Sequence, residues 1–354
     1  MERAKFIGLL TCLTLLLPAV ITGCGGGNDN AAPVANPGSN INALVAETVT
    51  LDGRSSNDPD GDPITYNWTF VSVPQGSSVT LLDSSTATPT FIVDKEGAYV
   101  VSLVVSDELR NSPASTVTVT GYRCQIGTTW DGSSCSDSRT MAYFRLENTL
   151  ADTTGKWTGT LGSGTYVTGK DGQGLQGPSA CSYVYAARVD GFPNLPDSFT
   201  VEAFIRPACP PNSWQGNLTV AKWDNGYTGP GFVLFSTPDP YSSATYRFSF
   251  HLSDGLSSKT AISAVTNACG NWYHVAGVRE KGNALILFVN GIEVGSAVDT
   301  VGSIANTRSL TFSGHTPEAG GCGWGMSQVD MDDIAIYSKA LNPLEIAGHA
   351  SQYQ

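Results

Sequence analysis

Charge is scarce in this 354-residue chain: 14% of its residues are Asp, Glu, Lys or Arg, and 31 acidic against 19 basic groups give a formal net charge of −12. A field of that sign repels phosphate backbones and anionic headgroups, which excludes nucleic acid as an expected partner and suits calcium. Histidine is rare, with four residues, His251, His274, His315 and His349, scattered through the chain. No HExxH pair and no GxSxG elbow occurs, so the common metalloprotease and serine hydrolase arrangements are missing, and each histidine reads as a packed or surface residue. Long apolar runs are missing as well. A spanning helix needs roughly 20 uninterrupted apolar residues, and the only candidate, residues 6–21, is broken by Pro18. With 39 Gly and 19 Pro, the chain favours short strands and tight turns over helices. The expectation is an all-β protein of two or three domains.

Arg3 and Lys5 precede the apolar run, which ends in ITGC, residues 21–24. That order reads as a cleaved signal over residues 1–23. ITGC resembles the bacterial lipobox, which implies that Cys24 becomes a lipidated N-terminus; an ordinary secretory signal that happens to contain a cysteine is the alternative. Gly25 stands where some inner-membrane lipoproteins carry Asp, so the resemblance implies a lipid anchor in the outer membrane or at the cell surface. Residues 24–40, rich in Gly, Asn, Ala and Pro, have little to bury and read as a flexible tether.

Residues 41–122 hold ITYNWTF and EGAYVVSLVVSDE, in which Ile64, Tyr66, Trp68 and Phe70 alternate with polar residues, as Tyr99, Val101, Leu103 and Val105 do. Period-two alternation on two segments gives the inner faces of two sheets. These blocks resemble the polycystic kidney disease (PKD) repeat, which implies an immunoglobulin-like β-sandwich with Trp68 in its core and Tyr99 either as corner tyrosine or as plain core. NDPDGDP, residues 57–63, admits a tight turn or a cage of carboxylate oxygens for a hard cation. No bidentate Glu follows at calcium-loop spacing, which favours the turn. Cys124 and Cys135 then enclose a short Gly- and Ser-containing loop, so residues 123–140 read as a disulfide-closed linker; no neighbouring His or second close Cys pair supports a metal site.

The rest of the chain is organised around FTVEAFIR, residues 199–206, with NWYHVAGVR (271–279) and VDMDDIAIYSKAL (329–341). Each alternates apolar positions, so each lays one face on a core and leaves the other available. Asn290 and Gly291 mark a hairpin turn between LILFV and IEVG, and Asn342, Pro343 and Glu345 mark a helix start. In this order the segments resemble the LamG-like, concanavalin A-like jelly roll, which implies that fold over residues 141–354.

The six cysteines beyond Cys12 and Cys24 make an even number suited to an oxidising compartment, and six allow fifteen pairings. In pentraxins, a related jelly-roll family, cysteines stand where Glu202 and Ala276 stand here. Carrying that antiparallel register outward places Cys209 opposite Cys269, which leaves Cys124 with Cys135 and Cys181 with Cys322.

Glucanases of the same fold carry a strand with two glutamates flanking an aspartate, whereas the nearest stretch here, residues 330–335, has no glutamate. Strict alternation would send the adjacent Asp332 and Asp333 to opposite faces, so they form no catalytic pair. The resemblance implies a structural calcium held by Asp332 with Glu147 or Asp152; a buried Asp satisfying loop amides is the competing reading. Trp214, Trp223, Tyr227, Tyr241 and Trp324 lie in loop-like surroundings, where rings can stack on sugars or pack inward, while Trp272 and Tyr337 read as core. Trp214, Trp223, Tyr227 and Trp324 are the ligand candidates. The expectation is a membrane-anchored protein, not an enzyme, that binds a glycan or an envelope or extracellular protein. A glycan-degrading hydrolase using Asp332 and a purely structural or adhesion component are the rivals.

Overall fold

The computed structural model describes residues 30–177, 185–209, 217–223, 229–239, 244–314 and 328–352. Strands β1 (Ile41–Leu44), β2 (Thr48–Thr50), β3 (Thr65–Ser72), β4 (Thr90–Ile92), β5 (Gly97–Ser106) and β6 (Ser115–Tyr122) form the first sandwich, a four-stranded sheet in the order β1-β6-β5-β3 opposite the pair β2-β4. Trp68, Phe91, Tyr99, Val101 and Leu103 fill its core, and the indole Nε1 of Trp68 donates to Thr86 O at 3.0 Å. Tyr99 does hold a corner, because its hydroxyl accepts from Lys95 N at 2.7 Å and donates to Asp94 Oδ1 at 2.8 Å. NDPDGDP is a turn in which Asp58 Oδ1 accepts from Asp60 N at 2.8 Å.

A two-strand spacer, β7 (Thr129–Trp130) with β8 (Cys135–Ser136), is closed by the Cys124–Cys135 disulfide. Then follow β9 (Thr140–Phe144), β10 (Thr160–Leu161), β11 (Thr165–Thr168), β12 (Gln173–Gln176), β13 (Ala187–Val189), β14 (Phe199–Pro207), β15 (Asn217–Trp223) and β16 (Pro230–Pro238). The series continues with β17 (Thr245–Asp254), β18 (Ser258–Ile262), β19 (Asn267–Ala268), β20 (Tyr273–Glu280), β21 (Ala284–Val289), β22 (Ile292–Val298), β23 (Leu310–Phe312), β24 (Val329–Tyr337) and the helix α1 (Pro343–Ala350). One eight-stranded sheet runs β10-β13-β23-β15-β16-β17-β18 with β19 beside β17; the other runs β11-β12-β24-β14-β20-β21-β22 with β9 beside β24. Phe199, Val201, Ala203 and Ile205 of β14 meet Phe248, Phe250 and Leu252 of β17 in the core between them. Asn290 and Gly291 both have positive φ (50° and 80°), the backbone that a two-residue hairpin turn needs. Asn342 caps α1 in a capping box with Glu345.

Register confirms one pairing and local burial corrects one expectation. Glu202 lies opposite Ala276, and Cys209 is bonded to Cys269. The expected Cys181–Cys322 pair and the lipidation residue Cys24 lie outside the described residues. The outer face of β14, expected to stay available, is largely buried: Phe204, Ala276, Phe288 and Tyr337 pack against Ile346 of α1 and Ile126 of the spacer. The alternating pattern reports a strand with two distinct faces, but it carries no information on whether a later helix docks on the second.

Candidate functional site

The outer face of the sheet that contains β14 divides into a covered half and an open half. In the covered half a glutamate stands in the middle of an apolar strand. Glu202 is fully buried, and its carboxylate meets His274 Nε2 of β20 at 3.0 Å and His349 Nδ1 of α1 at 2.8 Å, and accepts from the Tyr337 hydroxyl. Tyr337 in turn accepts from Gly127 N of the spacer at 2.7 Å. Burial pushes the Glu202 carboxyl up, but the imidazoles of His349 and His274 outweigh it and hold it well below the usual carboxylate range. Burial, with the Glu202 charge, raises the Tyr337 hydroxyl. Polar bonds thus run from spacer to strand to helix through one carboxylate. Further bonds fasten the spacer and its flank to the C-terminal segment. Glu345 Oε1 accepts from Trp130 N at 2.6 Å, Gln352 Oε1 from Ile126 N at 2.9 Å, and Ser351 Oγ from Arg123 Nη1 at 2.5 Å. The spacer is therefore part of the jelly roll's surface, and Trp130 reaches back to Tyr122 of the first sandwich with ring centroids 5.4 Å apart.

In the open half, β24 departs from alternation. Asp333 has a φ of 47°, and the pairing of β14 with β24 slips between Glu202 and Phe204, so one extra residue is accommodated in β24. Asp332 and Asp333 consequently sense one another, contrary to the expectation of opposite faces. Asp332 Oδ2 accepts from Lys170 N at 2.8 Å and Asp171 N at 3.1 Å, and its Oδ1 accepts from Asp333 N at 2.9 Å. Burial first, and the Asp333 charge second, push the Asp332 carboxyl up to about 7. Glu147 Oε2 accepts from Gln173 N at 3.0 Å on the same β11–β12 turn. Gly169 and Gly172 make this approach possible, since a Cβ at either would collide with the carboxylate of Asp332 or Glu147 respectively.

Of the three residues expected to hold calcium, Asp332 and Glu147 thus flank one turn. Asp152 spends its oxygens on its own loop, accepting from Thr154 N at 2.8 Å and from Trp157 N. Among the described residues no three acidic, histidine or cysteine side chains gather at metal-holding distances. The expected ligand set fits a cation only in part. Beside the turn, Gln125, Ile126, Tyr143, Arg145, Asp171 and Gln352 line an open cleft of about 370 Å³, where Arg145 donates to Asp171 Oδ2 at 3.2 Å and Tyr143 to Asp333 Oδ1 at 2.6 Å.

Of the aromatic candidates, Trp223 sits at the end of β15, only 9% exposed, with its ring centroid 5.0 Å from that of His251. It packs with Ala221 and Val233 on the outer face of its own sheet and does not stand in a loop. Trp214, Tyr227, Tyr241 and Trp324 lie outside the described residues. Trp272, read as core, does pack against the Phe204, Ala276 and Tyr337 cluster, while the part of its ring left accessible carries the Arg206 guanidinium at 4.8 Å. The Glu202 cluster was signalled in sequence by a Glu and a His amid apolar strands; its histidine partner from α1 had no such signal.

Family comparison identifies both folds. Residues 179–347 match the model described as the concanavalin A-like lectin/glucanases superfamily, and residues 37–120 match a model described as a PKD domain. A collagenase, ColQ1, of Bacillus cereus (strain Q1) is 33% identical over 92 residues, which are 26% of this chain and 9% of that protein. Among solved structures, the binding domain of Paraclostridial Mosquitocidal Protein 1 aligns at 16% identity with a TM-score of 0.45, covering 59% of this chain and 51% of that one. Domain 4 of AbnA, a GH43 extracellular arabinanase from Geobacillus stearothermophilus, solved with arabinotriose, aligns at 16% identity with a TM-score of 0.43, covering 59% of this chain and 97% of that one. Residues 37–120 are a PKD domain, and residues 179–347 belong to the concanavalin A-like lectin/glucanases superfamily.

Proposed function

We propose that this chain is an envelope-anchored binding protein whose jelly roll captures a glycan or a partner protein, with the PKD domain as a spacer and Cys24 as the lipid-bearing residue. The superfamily holds both lectins and glucanases, and one observation favours the first. Asp332, the carboxyl poised near pH 7, is fully buried and its oxygens accept N–H groups from Lys170, Asp171 and Asp333. A general acid has to reach the leaving oxygen of its substrate, and this carboxyl is turned to the backbone. The docked spacer supports the same reading, because a joint fastened to α1 carries the jelly roll at a set angle, which serves display.

The test is a glycan array and an envelope-extract pull-down with the full chain, alongside a reducing-end assay on a polysaccharide panel. Binding without release of reducing ends is expected; turnover that is lost in Asp332→Asn would replace this reading with the hydrolase. For the anchor, Cys24→Ser is expected to move the protein from the membrane fraction to the soluble one, and unchanged processing and fractionation would remove the lipid from the account.

A further inference from the structure

Beside the part of the outer face that α1 covers runs one continuous row of side chains across four neighbouring segments, in which Gln176, Arg206 and Trp272 are partly exposed and Asp330 is buried. Gln176 on β12 lies opposite Asp330 on β24, Asp330 lies opposite Arg206 on β14, and Arg206 lies beside Trp272, the residue before β20. Each member is held by the next. Gln176 Nε2 donates to Asp330 Oδ1 at 2.8 Å, and Arg206 Nε and Nη2 reach Asp330 Oδ2 at 2.9 and 2.7 Å. The guanidinium is stacked over the Trp272 ring. Arg206 Nη2 also points to Thr168 O at 3.4 Å.

Three features give this row the character of a binding face. First, it is preorganised: the guanidinium plane is set from below by the indole and from the side by a carboxylate, so little rotamer freedom is left to lose on binding. Second, its hydrogen-bonding capacity is unspent, since among the described residues Nη1 of Arg206 and the amide oxygen of Gln176 have no partner. Third, its charge is balanced. Asp330 cancels Arg206, and the neighbouring Asp171 and Glu147 lie beside Arg145, so the row offers donors and acceptors without a net field that would draw a polyanion. Side chains on four neighbouring segments of the sheet span three strand spacings, ~14 Å at ~4.8 Å each, a strip that suits an extended chain more than a single small molecule.

Resting on the binding function proposed above, we infer that the row Gln176, Arg206 and Trp272, set in place by the buried Asp330, is a subsite for an uncharged oligosaccharide, whose hydroxyls exchange hydrogen bonds with Arg206 and Gln176 while its apolar edge meets the rim of Trp272.

The experiment titrates the full chain with neutral cello-, xylo-, arabino-, manno- and laminari-oligosaccharides, with a uronate-bearing oligosaccharide as the charged control. It compares Arg206→Gln and Gln176→Ala, each checked for an unchanged thermal midpoint. A hydrogen bond to a charged group is worth more than one to a neutral group, so Arg206→Gln is expected to weaken the neutral ligand about 10- to 100-fold and Gln176→Ala about 3- to 10-fold. If Arg206→Gln proves poorly folded, the Gln176→Ala result decides. A parent that binds a neutral glycan, with both variants binding equally well, overturns the row and leaves the binding function standing. A parent that binds only the uronate overturns the ligand class and with it this inference. A parent silent to every glycan but able to capture a protein overturns this inference and the glycan half of the proposed function together.

Discussion

Glu202 and Asp332 are both fully buried carboxylic acids on the outer side of neighbouring strands, and their protons are held in opposite ways. Glu202 has two imidazoles and a phenol around it, so its charge is matched and the carboxyl is held low. Asp332 has backbone amides and a second aspartate, so burial prevails and the carboxyl rises to about 7. Burial pushes both carboxyls up, and the groups brought alongside decide whether that rise survives. The difference follows the division of the face. Under α1 the chain supplies counter-groups from a helix and a strand to close a joint, while beside the β11–β12 turn Asp332 has, among the described residues, backbone amides and no matching cation.

The comparison is broken most severely by removing the matched charge. Glu202→Gln removes the charge and one of the two accepting oxygens that two imidazoles and a phenol share, and we expect a loss of about 3 to 5 kcal/mol in urea denaturation. Faster hydrogen exchange at residues 124–136 and 343–352 should accompany it, because the same carboxylate ties spacer to helix. A loss below ~1 kcal/mol would show that apolar packing alone closes the joint.

Next in size is the bridge at the open end of the same sheet. Cys209 and Cys269 are 60 residues apart, and closing a loop of that length restricts the unfolded chain by about 4 kcal/mol in the chain-entropy account. Cys209→Ser with Cys269→Ser should cost about 2 to 4 kcal/mol, read in the same denaturation, with residues 124–136 still protected. Equal loosening of both halves would mean that the division of the face is not energetic.

The two carboxyls also predict different pH windows. Asp332 binds its proton more tightly folded than unfolded, so its contribution is complete below the ordinary carboxyl value of ~4 and disappears as pH rises to about 7. Asp332→Asn should therefore flatten the fall in thermal midpoint between pH 4 and 7 and be the more stable form at pH 8, by on the order of 4 kcal/mol at most. Glu202 works in the other direction, adding stability above ~4 that is lost only in strong acid, as pH falls through its depressed folded value. A midpoint that rises across pH 4 to 7 in the parent and not in the variant would invert the assignment for Asp332.

The smallest expected effect is that of calcium, for which Asp332 and Glu147 offer part of a ligand set. A cation binding the folded state at 100 times its dissociation constant adds ~2.7 kcal/mol, and an incomplete site should give less. Because the metal needs Asp332 ionised, any rise in midpoint should be larger at pH 8 than at pH 5. Equal midpoints with calcium and with chelator at pH 8 would leave Asp332 as a neutral acid bonded to its turn.

Much of this fold was legible because its signals are local. Period-two alternation marked the strands, Asn290 and Gly291 the hairpin, and Asn342 with Glu345 the cap of α1, each through backbone chemistry confined to a few residues. The Cys209–Cys269 bridge was legible through the pentraxin resemblance, which set Glu202 opposite Ala276, and through register, which carries that pairing seven residues along a strand. The candidate site was far less so. Trp272 packs on the core as its pattern suggests, but nothing in that pattern announces the guanidinium on its accessible side, and Trp223 has a loop-like sequence around it and is packed at a strand end.

The sequence by itself determined the strands, the short disulfide-closed spacer and the helix at the end, because these rest on periodicity, turn residues and spacing, and its resemblance to PKD and LamG-like domains supplied the two sandwiches and their order. Only the tertiary structure decided what lies on the outer face of β14. Alternation states that a strand has a second face; whether that face meets a helix, a spacer or solvent depends on contacts such as Glu202 with His349, 147 residues apart. The shift at Asp333 is of the same kind. A single left-handed residue moves a carboxylate toward its neighbour, and no pattern of apolar and polar positions records where a strand takes in one residue too many.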